Sequence, residues 1–321
     1  MHFLTKLLFT TTAALSACIA TAQGFPNKPV KMVIGLPPGG GTDSNARLIA
    51  SKLSESLGQS VLVDNRPGAS GAIAAEFTAA APPDGHTILI MSATTLTNTL
   101  LYKSRYDTIR DFTPITFLSV NPYLVLIHPA VPANNLNEFI AHARANPGKL
   151  NYASSGNGGI VHLATVLLES VTDIRLLHVP YKGLAVAYGD LLAGRVQLSV
   201  SSIVSALPHV KSGKLRALGV TSRTRMAMLP DMPTLNESGA RGYEVSQWNG
   251  LLGPAGVPRA VVDRLHREII AVLRQPEVVA RMAADGSEVV GGTGAELAAY
   301  MQSELSKWGG IIRKWNIKGD E

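Results

Sequence analysis

Val30-Lys31-Met32-Val33-Ile34-Gly35-Leu36-Pro37-Pro38-Gly39-Gly40-Gly41-Thr42-Asp43-Ser44-Asn45-Ala46 decides the fold. Its first five residues form a short apolar run of the kind that makes a strand covered on both faces. Two prolines and three glycines stop that run. Beyond Asp43, apolar Ala46, Ile49, Ala50, Leu53 and Leu57 recur at helical spacing until Gly58 ends the pattern. A strand, a Gly-rich loop and a helix in that order open an α/β sheet.

Outward from this unit the alternation repeats. Ser60–Asp64 reads as a strand, Asn65-Arg66-Pro67-Gly68 as a turn, Ser70–Ala81 as a helix of small residues, and Pro82-Pro83-Asp84-Gly85 as another turn. Thr87–Met91 reads as a strand that runs into Ser92-Ala93-Thr94-Thr95. Phe112–Leu118 and Tyr123–His128 read as two successive strands. Leu136–Ala145 is a helix stopped by Asn146-Pro147-Gly148. Strand Leu150–Ala153 enters Ser154-Ser155-Gly156-Asn157-Gly158-Gly159, and helix Ile160–Ser170 follows. Leu176–Val179, Ala185–Leu192, Val196–Val200, Val204–Lys211 and Leu215–Val220 continue the series. Tyr243–Leu252 reads as extended, and Pro258–Leu273 and Ala295–Lys314 as long amphipathic helices. Repeated units of this kind predict an α/β fold with two mainly parallel sheets, helices on both faces of each. No Gly/Ser linker separates the halves. The domains therefore join through strand crossovers, with 121–123 and 225–245 as the candidate segments.

Three loops share one placement. Pro37–Asp43, Ser92–Thr95 and Ser154–Gly158 each lie beyond the carboxyl end of a strand, where open α/β sheets bind ligands. Free backbone N–H groups at helix starts attract anions, Gly permits close approach, and Ser and Thr add hydroxyl donors. Taken singly, each loop also reads as a turn or cap, with Thr42 or Asp43 capping one helix and Gly158 opening another. Together they point to one site for a carboxylate or similar anion. His162, one turn into the helix after Ser154–Gly158, reads either as a ligand-facing group or as a capping and packing residue.

The 321 residues are 46% hydrophobic and 16% charged, which excludes a disordered chain. One cysteine excludes a disulfide scaffold and any multi-cysteine metal site. The net charge of +6 is spread without a basic tract and does not indicate nucleic acid binding. Gly39-Gly40-Gly41 invites a dinucleotide reading, but a G-x-G-x-x-G would need glycine where Ser44 stands. There is no G-x-x-x-x-G-K-[ST], no histidine is followed by glutamate, and Ser154-Ser155-Gly156 is not a nucleophile elbow. No metal and no cofactor are expected.

Met1–Ala22 reads as an export signal. Lys6 precedes an apolar run, and Ala20-Thr21-Ala22 supplies a cleavage site. Leu15-Ser16-Ala17-Cys18 offers a rival cut, a lipobox that would lipidate Cys18. A buried N-terminal helix is the third reading. Cleavage after Ala22 would leave a chain without cysteine, as suits an oxidising compartment.

Short stretches in fixed order carry a family resemblance. They include Pro37–Asp43, Leu57-Gly58-Gln59, Asn65–Gly71, Ala81–Gly85, Asn146–Gly156, His178-Val179-Pro180-Tyr181-Lys182-Gly183, Gly213–Leu218 and Leu229–Thr234. On these the sequence resembles the Bug-type substrate-binding proteins of tripartite tricarboxylate transporters, over nearly all of the chain beyond residue 22. The resemblance implies a two-domain periplasmic-binding-protein (Venus-flytrap) fold with strand crossovers at the hinge. It implies a signal peptide over 1–22, domain 1 from 23–121 and 231–321, and domain 2 from 122–230. It implies a monomeric, periplasmic receptor, not an enzyme, that hands a small organic anion to integral-membrane transporter subunits. By position, the ligand would contact Pro38, Gly39, Gly40, Gly41, Thr42 and Asp43, then Ser92, Ala93 and Thr94, and across the cleft Ser154, Ser155, Gly156, Asn157 and Gly158. Trp248 matches an aromatic position near the family's cleft, and also reads as core.

One departure bears on the ligand. Relatives that bind amino acids often carry Asp after the strand that is here Val196–Val200; this chain has Ser201, followed by Ser202. A neutral serine cannot balance an ammonium group in a closed cleft. The expected ligand is therefore an amine-free carboxylate, such as a di- or tricarboxylate or an aromatic acid. A periplasmic sensor for a membrane kinase, and an exported hydrolase using Ser155 with His162, are the alternatives.

Overall fold

The computed structural model describes residues 24–39 and 41–319. The expected export signal over 1–22, with Cys18, and Gly40 lie outside the described residues. The elements run β1 (Val30–Ile34), α1 (Gly41–Leu57), β2 (Val61–Asn65), α2 (Ala72–Ala79), β3 (Thr87–Ser92), α3 (Ala93–Asn98) and β4 (Phe112–Ile127). Next come α4 (Leu136–Ala145), β5 (Asn151–Ser154), α5 (Ile160–Thr172), β6 (Leu177–Pro180), α6 (Leu184–Leu192), β7 (Leu198–Ser202), α7 (Ile203–Lys211) and β8 (Arg216–Val220). The chain ends with β9 (Ser246–Pro254), α8 (Arg259–Leu273), α9 (Pro276–Ala284), β10 (Glu288–Thr293) and α10 (Gly294–Trp315).

Two sheets share one strand. In the first, β2, β1 and β3 are parallel, β9 is antiparallel to both β3 and β4, and β10 adds antiparallel to β4. In the second, β6, β5 and β7 are parallel, while β4 runs antiparallel to β7 and β8. Each sheet thus has a parallel core extended by antiparallel strands where the two join.

The sequence suggested two strands where there is one. β4 pairs with β9 from Phe112 to Pro122, then with β7 and β8 from Tyr123 to Ile127. Asn121-Pro122 looked like a break because proline cannot donate to a ladder. Here Pro122 stands where the strand leaves one ladder for the other. The chain returns at Val245, whose N–H donates to the Thr221 carbonyl (3.0 Å), and Ser246 then pairs with Pro122. Residues 276–293, unassigned from sequence, form α9 and β10; the glycines of Val290-Gly291-Gly292 hid the strand, which carries a bulge there.

Strand alternation explains the layers. Ile88 and Ile90 face a core under α1, α8 and α9, while Leu89 and Met91 face one under α2, α3 and α10. In the second sheet Val125 and Ile127 face α4 and α5, and Leu124 and Leu126 face α6 and α7. Fully burying each such side chain contributes about 1.5–3 kcal/mol. α10 serves both halves: Leu297 and Met301 pack on the first sheet, and Trp308, Ile311 and Ile312 enter the core of the second. The last turns of the segment expected to belong to domain 1 therefore pack with the other half.

Candidate ligand-binding site

The loops at the strand ends of the two sheets face each other. On the first sheet, β1 ends in exposed Pro37, Pro38 and Gly39 before α1 begins. Asp43, in the first turn of α1, does not reach outward. One carboxylate oxygen accepts from Gly39 N–H (2.9 Å) and Arg47 Nε (3.0 Å), and the other from Asn65 Nδ2 (2.9 Å). Asn65 Nδ2 also donates to the Leu36 carbonyl (3.1 Å), and Arg47 to Asn65 Oδ1 (2.9 Å). These donors, Arg47 first, hold the Asp43 pKa down at about 2. Asp43 therefore braces the loop, and Thr42 beside it lines the cleft.

The second loop is shorter. Ser92 is buried and caps α3, accepting from Thr95 N–H (3.3 Å); Ala93 is fully buried. Only Thr94 looks into the cleft, with its Oγ1 3.5 Å from Gln247 Oε1.

On the second sheet, Ser154 is fully buried. Its Oγ hydrogen-bonds His178 Nε2 (2.6 Å) and receives Gly156 N–H (3.2 Å). His162 Nδ1 receives Gly158 N–H (2.9 Å). The two imidazoles stack at 3.9 Å, with Tyr152 stacked on His178 at 4.8 Å. His162 and His178 thus hold their own loop. They line a cavity of about 520 Å³ with Tyr152, Asn157, Glu169 and the C-terminal residues 315–319. Ser155, Gly156, Asn157 and Gly158 line the opposite face, in a cavity of about 200 Å³ completed by Ser70, Thr94, Thr97, Asn98 and Leu101 of the first half.

A larger cavity of about 360 Å³ lies beyond Thr94 and Gln247. The first half lines it with Thr42, Asn45, Asn121, Gln247, Asn249 and Asp285–Ser287, and the second with Tyr123, Ser202, Ile203 and Val204. Ser202 caps α7, accepting from Ser205 N–H (3.4 Å). Ser201 is buried on the other face of β7, 3.4 Å from Ser199 Oγ, and does not line this cavity.

Trp248 lies in the core. It is fully buried, packed edge-on to Phe117 (6.5 Å) and Tyr300 (5.9 Å). Successive strand residues face opposite ways, so its neighbours Gln247 and Asn249 take the cleft. Alternation along Gln247-Trp248-Asn249 was the signal that could have placed them. Asn45 stands one turn after Thr42 on the same helical face, a second available signal. Asp285-Gly286-Ser287 fall in the stretch that the sequence reading left unassigned.

A family profile described as "Tripartite tricarboxylate transporter family receptor" matches residues 45–317. A protein in the tcbD-tcbE intergenic region of Pseudomonas sp. (strain P51) is 39% identical over 93% of this chain and 90% of its own. Protein BugT of Bordetella pertussis is 32% identical over 97% of this chain and 96% of its own. Among solved structures, Rpa4515 of R. palustris with adipate superposes with a TM-score of 0.77 at 34% identity, covering 92% of this chain and 100% of that one. MatC of Rhodopseudomonas palustris with bound malate gives 0.73 at 32% identity, covering 90% and 100%.

Proposed function

The chain belongs to the Bug-type receptors of the tripartite tricarboxylate transporter family, and from that premise we propose that it captures a small organic carboxylate between its two halves and delivers it to separate membrane transporter subunits. Receptors of this family are periplasmic solute-binding proteins rather than enzymes. No helix among the described residues is long and apolar enough to cross a membrane. Export would use the segment 1–22.

The observation that carries the reading is the meeting of Thr94, Thr97 and Asn98 with Ser155–Gly158 across the cleft, since backbone amides and hydroxyls there suit one carboxylate; Thr42 lines the neighbouring 360 Å³ cavity. The solved relatives with adipate and malate support the same ligand class. In this reading the anion's head sits between these loops and its far end enters the 360 Å³ cavity. Closure of 122–245 on the remainder expels water and strengthens those contacts, with Pro122 and Val245 as the crossing points. Ligand drives closure only through contacts that the closed form alone provides.

A thermal-shift screen of residues 23–321 against organic acids, amino acids included, tests it. A micromolar ligand at millimolar concentration adds about 4 kcal/mol of stability. A hit among amine-free carboxylates is expected. A hit confined to amino acids would discard the ligand class, and hits only outside the carboxylates would discard the receptor reading. Ser155→Ala is expected to lower affinity far more than stability; equal loss of both would give the loop a folding role.

A further inference from the structure

Between β2 and α2 the backbone takes a conformation that side chains disfavour. Gly68, Ala69, Ser70 and Gly71 all have positive φ, at 124°, 45°, 55° and 93°. The Gly71 N–H donates to the Gly68 carbonyl (2.9 Å), so Ala69 and Ser70 are the central pair of a tight turn. A turn with positive φ at both central residues is ordinarily built from Asn-Gly or Gly-Gly. Ala and Ser are each strained there, because Cβ crowds the following carbonyl oxygen.

The surroundings override that preference. Asn98 Nδ2 donates to the Ala69 carbonyl (3.0 Å), and the Ala72 N–H donates to the same oxygen. A Cβ on Gly71 would strike the Thr95 side chain, and one on Gly35 would strike the Gly71 backbone, so the end of the turn is wedged in place. The Arg66 guanidinium lies 3.5 Å from the centroid of the Phe77 ring and fixes the chain as it enters. All of these contacts engage the backbone of the turn or its flanks. The Ser70 side chain is exposed instead, and it lines the 200 Å³ cavity opposite Ser155–Gly158. Ser92 and Ser154 differ, because their hydroxyls hold their own loops. Ala69 shares the strain but does not line the cavity. Strain that the fold holds in place is characteristic of ligand clamps.

We propose that Ser70 is a ligand-binding residue: its hydroxyl donates to the carboxylate head held against Ser155–Gly158, and the turn Gly68–Gly71 is kept strained in order to place it there. A hydroxyl–carboxylate bond is charge-assisted and strengthens as closure removes water. The proposal rests on the receptor reading and deepens it. It adds a contact from the loop after β2, which the sequence marked only as a turn.

Three variants of residues 23–321 separate the hydroxyl from the strain. Each is titrated calorimetrically with malate, adipate and benzoate and melted without ligand. Ser70→Ala keeps the strain and loses the hydroxyl. It should raise Kd about tenfold for whichever probe binds and leave the unfolding midpoint where it was. Ser70→Gly loses both. It should raise Kd by the same factor and the midpoint by about 2 °C, since the extra freedom of glycine in the unfolded chain offsets part of the relief. Ala69→Gly loses strain alone and should raise the midpoint without changing Kd. An unchanged Kd in Ser70→Ala, with a probe still binding, overturns the proposal and leaves the receptor reading standing. A midpoint that falls in both glycine variants overturns the strained turn. Failure of all three probes to bind the unaltered chain overturns the receptor reading, and the role of Ser70 falls with it.

Discussion

Asp43 and Glu169 are buried alike, at 4% and 3% exposure, and stand beside the two loops that face each other across the cleft. Their carboxyl groups are driven in opposite directions. Asp43 is held at about 2, first by Arg47, with Gly39 N–H and Asn65 adding to it. Glu169 is pushed up to about 7 by burial, which the Leu176 N–H (2.8 Å) only partly offsets. Two things separate them: Glu169 lies deeper in the protein and loses more hydration, and Asp43 gathers more donors. The first loop is braced by a charge that the fold keeps. The second is held by imidazoles and a serine hydroxyl, with a carboxyl nearby that the fold prefers neutral.

The largest effect should come from Glu169→Gln. A raised pKa means stability present below the ordinary 4.5 and lost as pH rises toward about 7. Glutamine keeps an acceptor for Leu176 N–H without the charge. It should stabilise the protein by about 2–3 kcal/mol at pH 8 and change little at pH 4. Urea unfolding at the two pH values measures this. Equal effects at both would mean that Glu169 is solvated, and the contrast with Asp43 would collapse.

Asp43→Ala comes next, at about 2 kcal/mol of destabilisation at pH 7, because it strands the donors of Gly39, Arg47 and Asn65. The sign is the reverse of that for Glu169. A depressed pKa contributes stability above the ordinary 3.8 that is lost as pH falls toward about 2. Asp43→Asn should therefore flatten the acid limb of the stability curve between about pH 4 and pH 2. An unchanged acid limb would show that the brace is not ionic.

These two carboxylates also mark where the sequence was legible. Strand–loop–helix order placed the loops at the ends of β1, β3 and β5, because short apolar runs and helical periodicity report burial directly. What it could not report was direction. Asp43, Ser154 and His162 stood out as functional side chains, and all three turn back to hold their own loops. The cleft is left to residues of duller appearance: Thr42, Asn45, Gln247 and Asn249. Trp248 was singled out by its match to an aromatic position near the family's cleft, but a large aromatic on a strand with both faces covered packs into a core. Asp285, which lines the cleft with them, was invisible because its place depends on α9 and β10, which a glycine-rich bulge concealed.

The smallest effect separates the loops by a pair of glycines. Gly39 and Gly158 both have left-handed backbone, at φ 89° and 69°, so alanine strains each by about 1–2 kcal/mol. Their surroundings differ. A Cβ on Gly39 would meet nothing, whereas one on Gly158 would strike the Leu101 side chain, which belongs to the other half. Gly158→Ala should therefore cost about 1 kcal/mol more than Gly39→Ala. Adding Leu101→Ala should recover part of that excess in Gly158→Ala and none in Gly39→Ala. The double-mutant cycle reads the contact between the loop and the turn after α3 free of backbone strain, which both substitutions share. If the two glycines cost the same, the loop does not rest on Leu101, and the cleft is wider at that end than the 200 Å³ cavity implies.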